Sequence, residues 1–352
     1  MFNNNAFKIQ NFLVVFFYIL IMNTTLPADQ RRKSITFGLG GDVMIGRNVG
    51  ESILKKGLMY PWGSLLTSLR STSFNLVNLE STLTKSTKKN PQPKAFNFQS
   101  DPKNIEALLK AHIQVVNLAN NHSLDFEDEG LEETLNVLNK NNMYHVGAGM
   151  NLEQAQKPAI FTKNGFRFAV LGFTDNEPLW AATDKKPGNN FITINQKTAE
   201  SIKPLIQNTK KDADILIVSL HWGPNWEEKP SKEFVNFAHA LIDAGADVIH
   251  GHSAHIFQGI ELYKNKLIFY SCGDLLDDYK VEKLLRNDET FLCIITVDKE
   301  GIQKLQLVPA LISNEQVNQA EGQDSKRLIE KMQKISKELG PIKIDDEGLW
   351  LR

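Results

Sequence analysis

Short apolar runs that end in polar residues alternate along this chain with segments of helical periodicity. Ile35, Phe37 and Leu39 alternate with small or polar residues, residues 114–118 read Q-V-V-N-L, and residues 215–220 read I-L-I-V-S-L. Helical patterns separate most of these strand-like runs. Because β-α-β units place parallel strands side by side with helices outside, this alternation predicts an α/β fold.

Polar side chains that can bind metals or transfer protons follow five of the predicted strands. They are Asp42, Glu80, Asn121 with His122, His221, and His252 with His255. The carboxyl ends of parallel strands share one edge of a sheet, and such sheets place their sites at that edge. Imidazole and carboxylate ligands together suit Mn, Fe or Zn better than Ca or Mg. The sequence therefore predicts a site for one or two divalent metal ions.

The densest group of candidate ligands is a histidine cluster after an apolar run. His250, His252 and His255 fall within six residues, and Gly251 lies among them, where a turn closed to bulky residues is expected. Imidazoles at the end of a buried strand suit a transition metal. A histidine-rich loop that binds no ion is the alternative interpretation.

Composition and charge exclude some classes of protein. The chain has 352 residues, is 41% hydrophobic and 23% charged, and has a net charge of −1. These values are typical of a globular protein, and the small net charge argues against a nucleic-acid partner. The two cysteines, Cys272 and Cys293, lie in apolar runs, so we expect buried thiols. A single disulfide formed after export is the alternative.

The N-terminal segment differs from the rest of the chain. Lys8 is the only charged residue before Asp29, and residues 12–22 form an unbroken apolar run of eleven. That length is typical of a signal peptide, although an uncleaved membrane anchor and a buried core helix are alternatives. Basic residues at positions 31–33 follow this run, whereas positive charge next to a membrane segment usually marks its cytoplasmic side rather than an exported tail. We expect residues 1–33 to be a signal peptide or N-terminal membrane anchor, and the protein to be exported to the periplasm or beyond, or anchored in the membrane.

Several short motifs occur in a characteristic order over about residues 35–309. They read G-D-V-M-I-G-R, N-L-E-S-T-L-T, N-L-A-N-N-H-S-L-D, H-W-G, G-A-D-V-I-H-G-H-S-A-H and Y-S-C-G-D. In these motifs the chain resembles the CapA/PgsA family of capsule and poly-γ-glutamate biosynthesis proteins, within the calcineurin-like metallophosphoesterase superfamily. The resemblance implies a four-layer α/β/β/α sandwich over residues 34–315, with residues 316–352 forming a C-terminal helix and tail that pack on it.

The resemblance also implies a set of metal ligands. Asp42 corresponds to the first metal-binding aspartate, Glu80 to the acid that bridges two ions, and His221 to the ligand before a glycine-rich turn. His252 and His255 correspond to the closing histidine pair. His250 matches a branch of the family that reads H-G-H-S-x-H, and it is not included in the predicted ligand set.

A second set of residues is implied to carry the chemistry. Asn121 and His122 resemble the family's Asn-His pair, with Asn121 as a ligand and His122 as an acid or a transition-state contact. Asp125 either orients His122 or caps the helix that follows. Arg47 is expected to pair with an anionic group such as phosphate or carboxylate.

Two departures from the superfamily pattern bear on the ion count and on local charge. The superfamily usually has Asp-x-His at the first strand, but Met44 replaces that histidine, which favours one ion or a weak second one. Asp274, Asp277 and Asp278 either add negative charge near the site or form a solvated acidic turn.

The function expected from these motifs is that of a metal-dependent hydrolase of capsule or poly-γ-glutamate biosynthesis, acting on a phosphoester or polymer bond. The expected partners are an anionic polymer or phosphorylated substrate, and subunits of a membrane polymer synthase. The alternative is a non-catalytic accessory subunit of such a synthase, because a fold does not determine an activity.

Overall fold

Two β-sheets face each other in the computed structural model, which describes residues 33–342 and 349–350. Among these residues the first sheet has nine strands and the second has six. Residues 1–32, on which the signal-peptide and anchor predictions rest, lie outside the described residues, as do 343–348 and 351–352.

The first sheet is built around the strand Ile35–Val43. In spatial order its strands are Gln316–Gln319, Gly301–Ser313, Glu289–Asp298, Ile35–Val43, Asn75–Leu79, Ile113–Asn117 and Tyr144–Val146, with Asp274–Leu276 beside Ile35–Val43 and Leu349–Trp350 beside Gly301–Ser313. The strands from Ile35–Val43 to Tyr144–Val146 run parallel, whereas Glu289–Asp298 is antiparallel to Ile35–Val43.

The second sheet has a parallel centre with an antiparallel strand at each edge. Its order is Ile260–Tyr263, Lys266–Phe269, Val248–His252, Ile215–His221, Phe166–Thr174 and Ala159–Lys163. The four inner strands are parallel, and each edge strand forms a hairpin with its neighbour. Two small two-stranded pairs, Thr82–Leu83 with Gln99–Ser100 and Ala148–Gly149 with Gly188–Asn189, lie apart from both sheets.

The α-helices cover the outer faces of the sheets and one end of the core between them. They are Arg47–Lys56, Leu66–Ser71, Ile105–Lys110, Glu127–Lys140, Leu152–Gln156, Gln196–Lys211, Lys232–Ala244 and Gly322–Lys337, with short 3-10 helices at Tyr60–Leu65, Pro102–Asn104 and Pro178–Trp180. No helix in the described part of the chain combines the length and apolar character needed to cross a bilayer.

Three apolar clusters show how the layers stack. Phe37 and Phe74 of the first sheet pack against Phe168 of the second, with ring centroids 4.9 to 5.4 Å apart. Separate clusters join each sheet to its own helices, such as Val77 to Leu131 on one side and Val218 to Leu241 on the other. The predicted α/β/β/α arrangement is therefore confirmed. Cys272 and Cys293 are both buried and free, as the apolar runs predict.

Candidate metal centre

Strand ends from both sheets bring the candidate ligands together. Asp42 is the next-to-last residue of its strand, and Glu80 directly follows the strand Asn75–Leu79. His221 and His252 each end a strand of the second sheet and are paired directly across it. All four side chains are fully or almost fully buried. The convergence predicted from the parallel strand ends is thus present.

Asp42 lies at the centre of the cluster. Its Oδ1 accepts a hydrogen bond from the Asn78 side-chain amide at 2.7 Å, and its Oδ2 accepts one from the Ser253 backbone N–H at 3.1 Å. Burial raises the pKa of Asp42, but the contact with His221 and the other nearby imidazoles lower it more, so its net pKa lies below the usual range. Asp42 therefore presents a carboxylate.

Asp42, His221 and His252 form one group that could hold an ion. The Nδ1 atoms of the two imidazoles are 3.0 Å apart, and they lie 3.7 and 3.4 Å from Asp42 Oδ1. Two nitrogens bound tetrahedrally to one zinc ion at ~2.0–2.1 Å are about 3.3 Å apart, which is close to this separation. Burial lowers the pKa of both histidines, so both are neutral and can act as ligands.

Asp42, Glu80 and His255 form a second group with ligand atoms close together. Both carboxylate oxygens of Glu80 are buried and have no hydrogen-bond partner among the described residues. Burial first, and then the charge of Asp42, raise the pKa of Glu80 well above its usual value. A buried carboxylate without donors needs a proton or a cation, so these residues fit a divalent ion. Asp42 is common to both groups, whereas the resemblance assigns the bridging role to Glu80.

Asn121 lies against His221. Its side-chain oxygen is 3.0 Å from His221 Nε2. An amide oxygen can only accept, so Nε2 carries the proton and Nδ1 keeps the lone pair that faces Asp42. In this arrangement Asn121 orients a ligand, and its own role as a ligand stays a prediction.

His122, Asp125 and Lys94 form a buried polar set beside Glu80. His122 Nδ1 is 2.6 Å from Asp125 Oδ2, and Lys94 Nζ is 2.9 Å from Asp125 Oδ1. His122 Nε2 is 3.6 Å from Glu80 Oε1, and the Phe98 ring stacks on the imidazole with centroids 3.9 Å apart. Burial lowers the pKa of His122 to about 4, and the hydrogen bond to Asp125 offsets only part of that shift. His122 is therefore a neutral imidazole at pH 7.

Asp125 does not cap the helix that follows it. That helix, Glu127–Lys140, has Phe126 at its N-cap position and no side-chain cap. The Asp125 carboxylate instead accepts hydrogen bonds from His122, from Lys94 and from the backbone N–H of Phe98. The capping alternative is thus wrong, because contacts with the preceding loop occupy both oxygens.

Lys94 is a site residue that the sequence patterns did not identify. It lies in the polar segment between residues 85 and 98, and its side chain is only 10% exposed. Its ammonium contacts the backbone oxygen of Asn121 and lies 4.6 Å from the centre of the Trp180 ring. The sequence does not distinguish Lys94 from the other three lysines of this segment, so only its contacts in the structure identify it.

Arg47 lies at the edge of the cluster. Its Nε is 3.3 Å from Asp278 Oδ2, and its guanidinium carbon is 4.5 Å from the centre of the Phe96 ring. Its Nη1 is buried without a hydrogen-bond partner in the described part of the chain. Nη1 of Arg47 is therefore available for the predicted contact with an anionic group, while Nε is already paired with Asp278.

The acidic residues after Cys272 are not a solvated turn. Asp274 is fully buried and paired in register with Asp42, Asp277 is almost fully buried, and the Asp278 side chain is 2% exposed. Asp274 Oδ1 is 2.9 Å from His255 Nδ1. Burial, then Asp277, then Asp42 raise the pKa of Asp274 well above its usual value. These acids therefore add carboxyl groups beside the candidate ligands, while the buried Met44 adds none.

Two facing sheets with buried Asp, Glu and His side chains at their joined strand ends define a metallophosphoesterase-like α/β protein. The family model for the bacterial capsule synthesis protein PGA_cap matches residues 36–279. The chain belongs to this family, which confirms the resemblance seen in the motifs.

Relatives at similar identity span most of the chain. The "Probable polyglutamine synthesis accessory protein Rv0574c" of Mycobacterium tuberculosis is 32% identical, over 87% of this chain and 92% of that protein. The "Capsule biosynthesis protein CapA" of Bacillus anthracis is 32% identical, over 72% of this chain and 62% of that protein. The "PGA biosynthesis protein CapA" of Bacillus subtilis is 31% identical, over 76% of this chain and 69% of that protein.

Proposed function

We propose that this protein acts in the biosynthesis of a capsule or poly-γ-glutamate polymer as a metal-dependent hydrolase that cleaves a phosphoester or polymer bond. The observation that carries the proposal is the pair of buried ligand groups that share Asp42, with the neutral imidazole of His122 beside them. The names of the Bacillus relatives supply the biological process.

The contacts assign a proposed role to each group of residues. Asp42, His221 and His252 would hold one divalent ion, and Asp42, Glu80 and His255 would hold a second. When bound there, Mn, Fe or Zn would supply Lewis-acid chemistry, polarising a substrate oxygen and lowering the pKa of a water molecule. The remaining roles belong to the chain's own side chains.

His122 is the proposed proton acceptor of the reaction. Its Nδ1–H donates to Asp125, so the lone pair of Nε2 faces the side on which Glu80 lies. With a pKa of about 4, the imidazole is already free to accept a proton at neutral pH. It can return that proton to a leaving group, while the free Nη1 of Arg47 binds an anionic group of the substrate.

Metal analysis with matched variants tests the centre. We expect purified wild type to retain one to two ions per chain after dialysis, and Asp42→Asn and His252→Ala to lose metal. Asp247→Asn is the control, because Asp247 is a buried carboxylate held by Lys210 and Lys266 away from the cluster. Equal, substoichiometric metal in all four proteins would contradict the proposal.

A non-catalytic accessory subunit of a membrane polymer synthase is the second candidate function. It is favoured by the word "accessory" in the name of the Mycobacterium relative and by Met44 in place of a histidine ligand. Polymer production by a strain that carries only His122→Ala separates the two. Full production by a metal-loaded His122→Ala protein supports the accessory role, and lost production with intact metal supports hydrolysis.

The proposal extends to domain limits, partners and location. We propose that the metal-binding domain spans residues 34–315 and that residues 316–352 form a C-terminal helix and tail on it. The strand Gln316–Gln319 of that C-terminal part pairs within the first sheet, and residues 343–348 and 351–352 lie outside the described residues. An anionic polymer or phosphorylated substrate, together with synthase subunits at the membrane, is the proposed set of partners. Export or anchoring through residues 1–33 would place the site outside the cytoplasm. Protease accessibility in intact cells or spheroplasts tests that location.

A further inference from the structure

Two buried residues outside the ligand set connect the first sheet to His252. His250 Nε2 is 2.7 Å from the backbone oxygen of Gly40, and His250 Nδ1 is 3.0 Å from Ser219 Oγ. The same Ser219 oxygen is 3.0 Å from His252 Nε2. All three side chains have no solvent-exposed surface. The contacts therefore form a continuous series that is closed to water.

The donors and acceptors in this series can be assigned from chemistry alone. A backbone oxygen only accepts, so His250 Nε2 must carry a proton and donate it to Gly40. In a neutral imidazole Nδ1 is then an acceptor, so the Ser219 hydroxyl must donate its single proton to His250. The Ser219 oxygen can only accept from His252, which places the His252 proton on Nε2. The lone pair of His252 is consequently on Nδ1.

This assignment leaves two lone pairs facing each other in the candidate centre. Asn121 fixes the His221 proton on Nε2 in the same way, so both Nδ1 atoms are unprotonated at a separation of 3.0 Å, with Asp42 Oδ1 beside them. The Asn78 side-chain amide donates to Asp42 Oδ1 at 2.7 Å and lies 3.2 Å from His221 Nδ1, whereas the lone pair of His252 Nδ1 meets no hydrogen-bond donor among the described residues and is open to a cation. We propose that Ser219 and His250 are positioning residues that hold His252 in the Nδ1 metal-binding tautomer. This inference rests on the metal centre of the proposed function.

The series also explains why His250 is not a ligand. Both of its ring nitrogens are engaged by Gly40 and Ser219. The thiol of Cys272 also contacts His250, and contact with Cys293 and burial raise the pKa of that thiol, so it stays neutral. A neutral thiol is at most a weak donor or acceptor and does not displace the Gly40 contact.

A double-mutant cycle on metal affinity tests the proposal. Ser219→Ala removes the acceptor for His252 Nε2–H, and we expect Zn²⁺ binding to weaken by about 10- to 100-fold. His250→Leu removes the acceptor for the Ser219 proton, which is then free to donate to His252 Nε2 and to drive the proton onto Nδ1. The single His250→Leu variant should therefore lose at least as much affinity. Adding Ser219→Ala to it should cause no further loss.

The controls separate this effect from general damage. Ser336→Ala also removes a fully buried serine hydroxyl, but that hydroxyl accepts a hydrogen bond from the backbone N–H of Ile260 and contacts no histidine. This variant should therefore bind Zn²⁺ as wild type does. Unfolding temperatures of the metal-free proteins show which variants are folded. Unchanged affinity in both single variants, or losses that add in the double variant, would overturn the positioning role.

A spectroscopic readout does not depend on metal binding. ¹⁵N spectra of the histidine rings in metal-free wild type should show His252 protonated at Nε2 and unprotonated at Nδ1, and His250→Leu should reverse that pattern. A wild-type His252 protonated at Nδ1 refutes the inference whether or not the protein binds metal. Failure of wild type to bind Zn²⁺ while His252 keeps the expected tautomer instead counts against the proposed function alone.

Discussion

Replacing Asp125 by asparagine tests the polar set around His122 with a minimal change of shape. Each neighbour of this carboxylate is a donor: His122 Nδ1 at 2.6 Å, Lys94 Nζ at 2.9 Å and the Phe98 N–H at 2.7 Å. Asparagine has one acceptor oxygen and one NH₂ group, so an N–H of the variant must face one of these donors. If the NH₂ group faces His122, the imidazole proton moves to Nε2.

The structure sets the size of the expected effects. Removing one partner of a fully buried ion pair costs about 3–5 kcal/mol, because the other charge is left uncompensated. Lys94 is 10% exposed and keeps its contact with the Asn121 backbone oxygen, so we expect a smaller loss in the free energy of unfolding, about 2–3 kcal/mol. Turnover should fall by about 10- to 100-fold or more, since His122 loses both its orientation and its proton-accepting tautomer.

The assay measures three quantities on the same protein. They are hydrolysis of a chromogenic phosphodiester, the free energy of unfolding in urea, and bound metal. Metal should stay at the wild-type level, because Asp125 belongs to neither ligand group. Asp128→Asn is the matched control, since this exposed acid lies in the next helix and should leave all three quantities unchanged.

Two results would refute this reasoning. Full turnover by Asp125→Asn would show that Asp125 does not orient His122 for the reaction. A loss of metal in proportion to the loss of rate would show that Asp125 supports the ligands themselves. Lys94→Met distinguishes the ion pair from the His122 contact, because it removes the cation and leaves the 2.6 Å hydrogen bond in place.

Three further predictions concern other parts of the site. Glu80→Gln should raise the unfolding temperature of the metal-free protein at pH 7, because ionising this buried acid is unfavourable, and it should reduce the stabilisation that added Mn²⁺ produces in thermal melts. Because the pKa of His122 is about 4 in the fold and 6.5 in its unperturbed state, the unfolded chain binds more protons between these pH values, and stability falls as the pH is lowered. The metal-free wild type should therefore lose stability relative to His122→Gln between pH 6.5 and 4, by on the order of 3 kcal/mol, in urea titrations. Gly251→Ala should destabilise the protein by about 1–3 kcal/mol, since a Cβ there would lie 2.2 Å from the Tyr270 backbone oxygen; an unchanged urea midpoint would contradict this.

The sequence by itself determined the α/β class and the strand ends at which the site lies, and its family motifs implied the four-layer arrangement. Apolar runs alternate with amphipathic helices, and this local periodicity decides which faces are buried. Parallel pairing brings Asp42 close to Glu80 in the first sheet and His221 next to His252 in the second, and the packing of the two sheets then brings the two pairs together. The motifs also identify the family, because their residue types occur in the family's order and the family model matches residues 36–279.

The tertiary structure decided how those residues are protonated and which others join them. Lys94 contacts Asp125, and Ser219 contacts His250, although the two residues of each pair lie 31 positions apart in the sequence. No periodic sequence pattern predicts such contacts. Gly251 is required by the close approach of the Tyr270 backbone, and its φ is not positive, so the expected turn is wrong there. For the acids after Cys272 the sequence left open a site near the ligands or a solvated turn, and packing against the strand of Asp42 decides for burial beside the ligands. Burial and hydrogen-bond partners depend on what the folded chain places around a group, and that information arises only when distant segments pack.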